Sequence, residues 1–426
     1  MNATIVPAGD DADEAETAPA GFLVTLARRL LCAQLARFRD GEILLRDGES
    51  QWRFGARTAA CDQAATVEVL HPRFYVDAVF GGTTGAGAAY IRGHWRCSDL
   101  VALTRIFCAN HAAMESLDRR WTLPARAALR LFHWLHGNTR GGSSRNIVAH
   151  YDLGNDFYRL MLDETMAYSC GIFASESTTL AEASRAKFEA ACRKLALTAD
   201  DHLLEIGTGW GGLAMHAARH YGCRVTTTTI SNEQHDHARE AIARAGLQDR
   251  ITLLKRDYRD LDGQYDKLVS IEMIEAVGAP WLDTYLAKCA SLLKSSGAML
   301  LQAITIQDQR YEAQLRTVNF IQRYVFPGSF IPSVDAISDS LRRVTDMKIF
   351  HLEDIGPHYA RTLAEWRRNF HASLAAVRKL GFGDPFLRLW DFYLASCEGA
   401  FAERHLGDVQ LLLAKPGCRR PVIATA

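Results

Sequence analysis

An apolar run that ends beside an acid and passes into a glycine-rich turn is the feature that most constrains the fold of this chain. The run spans residues 203–206 and includes Glu205, and the turn after it contains Gly207, Gly209 and Gly212. This order predicts a buried parallel strand that leads into the N-terminus of a helix. The spacing G-x-G-x-x-G is compatible with bound NAD, FAD or S-adenosylmethionine, or with a tight turn that binds no ligand.

The composition excludes several classes of protein. The chain has 426 residues, of which 49 are basic and 49 acidic, so no overall field attracts nucleic acid and we expect no nucleic-acid partner. Its 10 cysteines include no C-x-x-C pair, which argues against a zinc site or a disulfide framework and favours a reducing, cytoplasmic location. No apolar segment reaches the roughly 18 to 20 residues of a membrane span. The length predicts roughly two or three domains.

The N-terminal third of the sequence predicts a disordered tail at residues 1–20 and a small α+β domain at residues 21–118. Leucines at helical spacing over residues 21–41 are interleaved with arginines and predict an amphipathic helix. A glycine cluster at residues 81–87 predicts a loop before a short strand at 89–91. Three alternating runs predict a small antiparallel sheet, at residues 42–46, 51–54 and 65–70.

Residues 119–145 carry six arginines and no acidic residue, among tryptophan, leucine and phenylalanine side chains. This pattern suits an amphipathic helix that lies on an anionic bilayer, where each cation near the headgroups contributes about 1 kcal/mol. A linker helix with a solvated basic face is the alternative. The first interpretation predicts the membrane surface as a partner.

From residue 146 onwards, strand and helix patterns alternate, which predicts an α/β domain with a parallel sheet covered on both faces. Two of the helices are predicted at residues 231–245 and 281–293. Ligands of such sheets lie beyond the carboxyl ends of the strands. The strands are predicted at residues 202–206, 223–229, 250–255, 266–272, 297–304, 346–352 and 408–414.

The flanks of the glycine turn distinguish between the possible cofactors. A dinucleotide site usually offers an acid at the end of the second strand, whereas residues 224–231 contain none, which weakens the NAD interpretation. Glu205 has a position common in S-adenosylmethionine sites. Tyr258 and Arg259, after the third strand, provide an aromatic ring and a cation that could flank an adenine. Gln234 could replace the missing acid at the ribose, or face water.

Several separate blocks of sequence resemble the cyclopropane-fatty-acyl-phospholipid synthases and their mycolic-acid relatives. The resemblance covers residues 146–415, and residues 82–100 are similar to the smaller domain that full-length bacterial members carry. It implies a Rossmann-like class I methyltransferase domain at residues 146–426, with a seven-stranded, mostly parallel sheet, preceded by the small α+β domain. The blocks are Asn146–Tyr158, Met166–Phe173, Leu204–Gly212, Ser270–Gly278, Tyr324–Gly328 and Cys397–Phe401.

The resemblance implies methyl transfer from S-adenosylmethionine to a cis double bond in an acyl chain of a membrane phospholipid, with closure to a cyclopropane. Because an alkene is a poor nucleophile, the site must hold both reactants in contact and exclude water. Attack leaves a carbocation, and ring closure requires a base to remove a proton from the new methyl group. The resemblance implies a bound bicarbonate ion as that base. It also implies peripheral association with the inner face of the membrane and a possible homodimer.

The predicted site residues follow from the matched motifs. Bicarbonate would be held by two backbone groups and two side chains, those of Cys170, Ile304, Glu275 and Tyr359. Gln302 stands where family members have histidine, and it can donate a hydrogen bond but cannot relay a proton. The residues predicted to bind the cofactor are Tyr168, Ser169, Glu205, Gly207, Gly209, Gly211, Thr229, Gln234, Tyr258 and Arg259.

Glu272 is a second departure, because glycine is common at this position of the motif. Its carboxylate could stabilise a cation or act as a base, or simply face the cofactor or solvent. These departures affect ring closure and not methyl transfer, so we expect a cyclopropane product, with a methylene-branched chain as the alternative. Two other classes stay open, a small-molecule methyltransferase and a non-catalytic lipid-binding protein.

Overall fold

The computed structural model of the chain describes residues 21–111 and 153–419. The predicted tail at residues 1–20 and the basic segment at 119–145 lie outside the described residues, and so do the predicted domain boundaries at 118 and 146. Among the helices of the described ranges, none is both long enough and apolar enough to cross a bilayer.

A four-stranded mixed sheet forms the centre of the N-terminal part, residues 21–111. A fourth strand, β4, was not predicted from the sequence and is antiparallel to β3. The antiparallel prediction is correct for β1 with β2, but β1 and β3 are parallel. It was wrong for that pair because alternation reports which face of a strand is buried and not the direction of its neighbour. The order is β2-β1-β3-β4, and the strands are β1 Gly41–Asp47, β2 Ser50–Ala56, β3 Ala64–Val69 and β4 Trp95–Cys97.

Three helices pack with this sheet around one apolar core: α1 Gly21–Leu35, α2 Arg73–Ile91 and α3 Leu100–Ala109. Residues 81–87 and 89–91, predicted as a loop and a strand, lie within α2, which is interrupted at Gly82 (φ 57°, ψ −147°). A Cβ at Gly87 would lie 2.3 Å from the ring of Phe320. This glycine therefore permits close packing of a helix, and composition alone could not distinguish that use from a loop.

A seven-stranded sheet forms the centre of the C-terminal part, residues 153–419, in the order β10-β11-β9-β8-β5-β6-β7. β11 is antiparallel to β9 and β10, and the other neighbours are parallel. The predicted α/β class with a seven-stranded, mostly parallel sheet is confirmed. The strands are β5 His202–Ile206, β6 Arg224–Thr229, β7 Ile251–Lys255, β8 Tyr265–Ile271, β9 Leu293–Ile306, β10 Lys348–Asp354 and β11 Leu406–Ala414.

Helices connect these strands, as the alternating pattern predicts. The predicted helices at residues 231–245 and 281–293 correspond to α7 and α8. The helices are α4 Asn155–Arg159, α5 Leu180–Leu195, α6 Gly212–Tyr221, α7 Asn232–Arg244, α8 Leu282–Leu292, α9 Asp308–Leu315, α10 Phe320–Tyr324, α11 Val334–Val344, α12 Gly356–Ala372, α13 Leu374–Lys379 and α14 Asp384–Ala402.

Helix α14 connects the two parts by direct packing. The ring of Phe392 lies 5.4 Å from that of Tyr90 on α2, centroid to centroid. Gly399 allows α14 to approach α3, because a Cβ there would lie 2.7 Å from the Cβ of Thr104. Real Cβ atoms do not come this close, so a larger residue at Gly399 must separate the helices.

We therefore predict that Gly399→Val lowers the free energy of unfolding by about 1–3 kcal/mol, the usual cost of overpacking. Urea unfolding followed by circular dichroism measures this change. Gly81→Ala is the matched control, because a Cβ at Gly81 meets no atom within 4 Å. Equal stability of the two variants would contradict the close approach of α14 and α3.

Candidate active site

A cavity of about 860 Å³ opens at the carboxyl ends of β5, β6 and β8, where ligands of parallel sheets bind. Gly211, also predicted to bind the cofactor, is not among its lining residues. The predicted cofactor residues that do line it are Tyr168, Ser169, Glu205, Gly207, Gly209, Thr229, Gln234, Tyr258 and Arg259. Their individual roles stay predictions.

The glycine turn exposes bare backbone to this cavity. Gly207 and Gly209 both have positive φ, of 103° and 52°, and a Cβ at Gly209 would meet no protein atom within 4 Å. That space is the kind of cradle in which a ligand contacts the main chain. Gly211 has a different use, because its Cβ would lie 3.4 Å from the Cβ of Ala238 and so faces α7.

Two polar side chains are fixed beside the turn. Glu205 is buried and accepts a hydrogen bond of 2.6 Å from the Thr227 hydroxyl, and burial raises its pKa to about 8. Gln234 is also buried and accepts a hydrogen bond of 2.9 Å from Thr229. The alternative that Gln234 simply faces water is therefore wrong.

An aromatic ring and a cation border the same cavity after β7. Arg259 donates to both carboxylate oxygens of Asp257, at 2.8 Å from Nε and 2.6 Å from Nη2. This two-pronged pairing fixes the guanidinium, whose carbon lies 5.6 Å from the centroid of the Tyr258 ring. The wall that these residues form suits a flat base.

Glu272, directly after β8, lines the same cavity and accepts three hydrogen bonds. Its carboxylate accepts from the Cys170 backbone N–H at 2.8 Å, the Gln302 side-chain amide at 2.7 Å and the Tyr359 hydroxyl at 2.6 Å. Cys170 and Tyr359 are two of the groups predicted to hold bicarbonate. Glu272 has a φ of 48°, a conformation that costs a non-glycine residue about 1–2 kcal/mol.

Glu275, three residues on, is a second buried carboxyl group of the cavity wall. Its Oε1 accepts a hydrogen bond of 2.6 Å from the Ile304 backbone N–H. Within the described residues its Oε2 is buried and has no hydrogen-bond partner. Burial, followed by the nearby charge of Glu272, raises the pKa of Glu275 to about 8, so this carboxyl group carries a proton at neutral pH.

Asp408, on β11, is a third buried carboxyl group next to the site and was not predicted from the sequence. Gln302 donates to Glu272 and also to Asp408, the latter at 3.0 Å, and Gln410 donates to the Gln302 oxygen at 2.9 Å. Burial raises the pKa of Asp408 well above its ordinary value, and the charge of Glu272 raises it further. The sequence did contain a signal for this site, because β9 and β11 carry polar residues at buried positions: Gln302, Asp408 and Gln410.

Lys187 is a second functional candidate that sequence reasoning missed. It lies on the buried face of α5, which begins with a capping box formed by Thr179 and Glu182. Its ammonium group donates to the hydroxyl of Ser169, and both residues line the cavity. Burial lowers the pKa of Lys187, while the charge of Glu272 opposes that change. A lysine on the apolar face of a helix was the signal in the sequence.

The chemistry of the cavity combines a backbone cradle, an aromatic-cation pair and buried carboxyl groups. Together with the seven-stranded sheet, these features define a class I S-adenosylmethionine-dependent methyltransferase. The mycolic acid cyclopropane synthetase family matches residues 139–411, and the chain belongs to this family. The resemblance inferred from the sequence is thereby confirmed.

Relatives of known name are similar over most of the chain. Tuberculostearic acid methyltransferase UfaA1 of Mycobacterium tuberculosis is 36% identical over 372 residues, which cover 85% of this chain and 86% of that protein. The cyclopropane-fatty-acyl-phospholipid synthase of Escherichia coli K12 is 35% identical over 350 residues, 82% of this chain and 86% of that one. Both names describe lipid-modifying enzymes, one a methyltransferase and the other a ring-forming synthase.

Solved structures of the family share the fold of the C-terminal part. The mycolic acid cyclopropane synthase CmaA1, complexed with SAH and CTAB, is 29% identical, with a TM-score of 0.60 over 64% of this chain and 98% of that one. The cyclopropane synthase MmaA2 from Mycobacterium tuberculosis is 28% identical, with the same TM-score and coverage. Bound S-adenosylhomocysteine in the first of these supports S-adenosylmethionine as the cofactor here.

We predict that Gly209→Ala weakens the binding of S-adenosylhomocysteine at least about tenfold, because the new methyl group occupies the backbone cradle. Isothermal titration calorimetry measures the affinity. Gly246→Ala is the control: it has a similar φ of 68° and a Cβ with no atom within 4 Å, on an exposed turn. Equal affinities of the two variants would place the cofactor elsewhere.

A second prediction concerns stability and pH. Since the pKa of Glu275 is about 8 in the folded chain against an ordinary 4.5, its contribution to stability is fully present below pH 4.5. It is lost as the pH rises towards 8, at about 1.4 kcal/mol per pH unit. Glu275→Gln should make the fall of unfolding free energy between these values shallower by about that slope. Urea titrations at several pH values measure it.

Glu312→Gln, at an exposed position, is the control for this experiment and should leave the slope unchanged. An unchanged slope in Glu275→Gln as well would mean that Glu275 is ionised in the folded protein at neutral pH.

Proposed function

We propose that this enzyme methylates a cis double bond in an acyl chain of a membrane phospholipid and closes the product to a cyclopropane, with Glu272 as the base. The observation that carries the proposal is the carboxylate of Glu272, held by three donors on the wall of the cavity that also contains the cofactor cradle. S-adenosylmethionine supplies an electrophilic methyl group when bound.

The walls of the cavity suit an alkene and the cation that forms from it. Phe326 and Phe401 line the space together with Ile304, and they exclude water from the reacting carbons. The rings of Tyr359 and Phe401 are stacked, with centroids 4.3 Å apart. Aromatic faces and a fixed carboxylate both stabilise a positive charge that develops beside them.

Ring closure requires removal of one proton from the methyl group already attached to the lipid. The electron pair of that C–H bond then forms the third side of the ring, and the proton passes to the carboxylate of Glu272. Cys170, Gln302 and Tyr359 orient this carboxylate. Glu275 carries its own proton at neutral pH and so does not compete as the base.

Bicarbonate stays a prediction and is the alternative base. Two of its predicted donors, Cys170 and Tyr359, bind the Glu272 carboxylate, whereas Glu275 and Ile304 bind each other. The buried Oε2 of Glu275 is the group best suited to receive such an ion. We propose Glu272 in its place because a carboxylate that belongs to the chain already satisfies those donors.

A methylene-branched chain is the second candidate product. A hydride shift before proton loss places the cation on the methylated carbon, and the same base then removes a methyl proton to give an exocyclic methylene group. The similarity to tuberculostearic acid methyltransferase UfaA1 supports this route, whereas the similarity to the E. coli synthase supports ring closure. A small-molecule methyltransferase fits less well, because the named relatives modify lipids and most of the cavity wall is apolar.

We also propose that the enzyme works from the cytoplasmic face of the membrane. On α1, Phe22 and Leu26 are exposed, Phe22 by 80%, and Arg29 is exposed beside them. This combination suits contact with an anionic lipid surface. The bilayer would then supply the phospholipid, and a homodimer stays a prediction.

Lipid analysis tests the proposed function. Unsaturated phospholipid in vesicles is incubated with the enzyme and S-adenosylmethionine. Each modified chain should gain about 14 mass units, the mass of one CH₂ group. NMR of the isolated fatty acid should show high-field ring protons. Exocyclic methylene protons without ring protons would identify the branched product, and methylation of soluble amines or phenols but of no lipid would contradict the proposal.

We further predict that Glu272→Gln lowers the turnover number by about 10²–10⁴-fold, the range for loss of a general base, with unchanged affinity for S-adenosylhomocysteine. Glu398→Gln is the control, since burial also raises the pKa of Glu398, to about 7, but Glu398 does not line the cavity. Turnover close to that of the wild type in Glu272→Gln would rule out Glu272 as the base.

A further inference from the structure

The cavity continues beyond the carboxyl groups into the N-terminal part. Leu35 on α1, Val79 on α2 and Phe107 on α3 line this extension, together with Phe320 and Phe392 of the C-terminal part. These walls are apolar, as a hydrocarbon chain requires. The extension also has a polar region, which forms a second charged site distinct from the carboxyl groups.

Three basic side chains make this polar region, which we call the basic cluster: Arg310, His111 and His405. Arg310 extends from α9 and donates to Nε2 of His405 through one terminal nitrogen and to Nε2 of His111, at 2.5 Å, through the other. The two imidazole centroids lie 4.8 Å apart. All three residues line the cavity.

The cluster presents a fixed positive charge. Burial, followed by the charge of Arg310, lowers the pKa of His405 to about 3, so this imidazole is neutral and accepts the hydrogen bond. The imidazoles of His405 and His111 orient the guanidinium. A guanidinium with a fixed orientation is the preferred protein group for binding carboxylate and phosphate oxygens.

The position of the cluster relative to the reacting centre suits one end of an acyl chain. Leu406 pairs with Ile306 across β11 and β9, so His405 is level with the residue that follows Ile306. With a rise of about 3.3 Å per residue, that level lies on the order of 10 Å along the strand from Ile304. Ile304 binds Glu275 at the reacting centre, and the apolar side chains of Ile306 and Leu406, at the level between, line the cavity.

We propose that Arg310, positioned by His111 and His405, binds an anionic oxygen at the ester end of the lipid substrate, as in the phosphodiester of a phospholipid. The acyl chain then extends along the apolar walls and brings its double bond to Glu272. Arg310 is thus a residue that positions and selects the substrate. This inference rests on the proposed function for the identity of the substrate, and it assigns the site that holds the anionic end.

Equilibrium binding tests the proposal without turnover. Isothermal titration calorimetry of the full chain, with S-adenosylhomocysteine present, compares oleoyl-lysophosphatidylglycerol with monooleoylglycerol, which has the same chain and ester but no phosphate. The wild type should bind the phosphate-containing lipid at least about tenfold more tightly, as expected for a charge-assisted hydrogen bond. Absence of this preference overturns the proposal without any variant.

Arg310→Gln should reduce the preference to near one while leaving the affinity for S-adenosylhomocysteine unchanged. Arg316→Gln is the matched control, since Arg316 follows the same helix and its side chain is 71% exposed. A preference that persists in Arg310→Gln, or an equal loss of affinity for both lipids, overturns the proposal and assigns Arg310 a structural role between the two parts.

Oleate, measured in the same way, distinguishes the sources of the anion. Arg310-dependent binding of oleate in preference to the phospholipid would assign the site to the carboxylate of a free fatty acid. The outcomes also separate this inference from the proposed function. Arg310-dependent binding without any methylated lipid contradicts the function alone, whereas methylated lipid with unchanged binding in Arg310→Gln contradicts this inference alone.

Discussion

The carboxylate of Glu272 and its three donors hold the active site together. Cys170 precedes α5, Gln302 lies in β9 and Tyr359 lies in α12, so one side chain connects three separate segments of the C-terminal part. The positive φ of Glu272 is tolerated because these bonds compensate its cost, as is usual for strained residues at functional sites. Loss of this carboxylate would leave three buried donors without their acceptor.

The electrostatics of the site follow from the number of carboxyl groups that it buries. Besides burial, the charge of Glu272 raises the pKa of two neighbouring carboxyl groups, those of Glu275 and Asp408. Burial raises the pKa of Glu275 and Asp408, whereas the carboxylate of Glu272 accepts three hydrogen bonds. Burial lowers the pKa of Lys187, beside the cofactor cradle, and the charge of Glu272 opposes that change. A carboxylate held by three hydrogen bonds beside an apolar cavity matches the need for a base and for a stabilised cation.

Much of this architecture could be predicted from local sequence. Two local patterns predicted the parallel sheet: the glycine turn at Gly207 and Gly209, and the alternation of strands and helices. Both patterns depend on near neighbours in the chain. Gly87 of α2 was misinterpreted, because this glycine admits Phe320, which is distant in sequence. Lys187 and Asp408 were missed for the same reason. The partners of Glu272 come from positions 102, 30 and 87 residues away, and no local pattern reports such contacts.

The central claim is that the chain supplies its own base through Glu272, and the bicarbonate dependence of the wild type tests this most directly. The initial rate of lipid methylation is measured in buffer freed of carbon dioxide and again after bicarbonate is added. The rate and the product should be the same in both, because the three donors already bind a carboxylate. A rate that falls on removal of bicarbonate and returns when it is added would contradict the account.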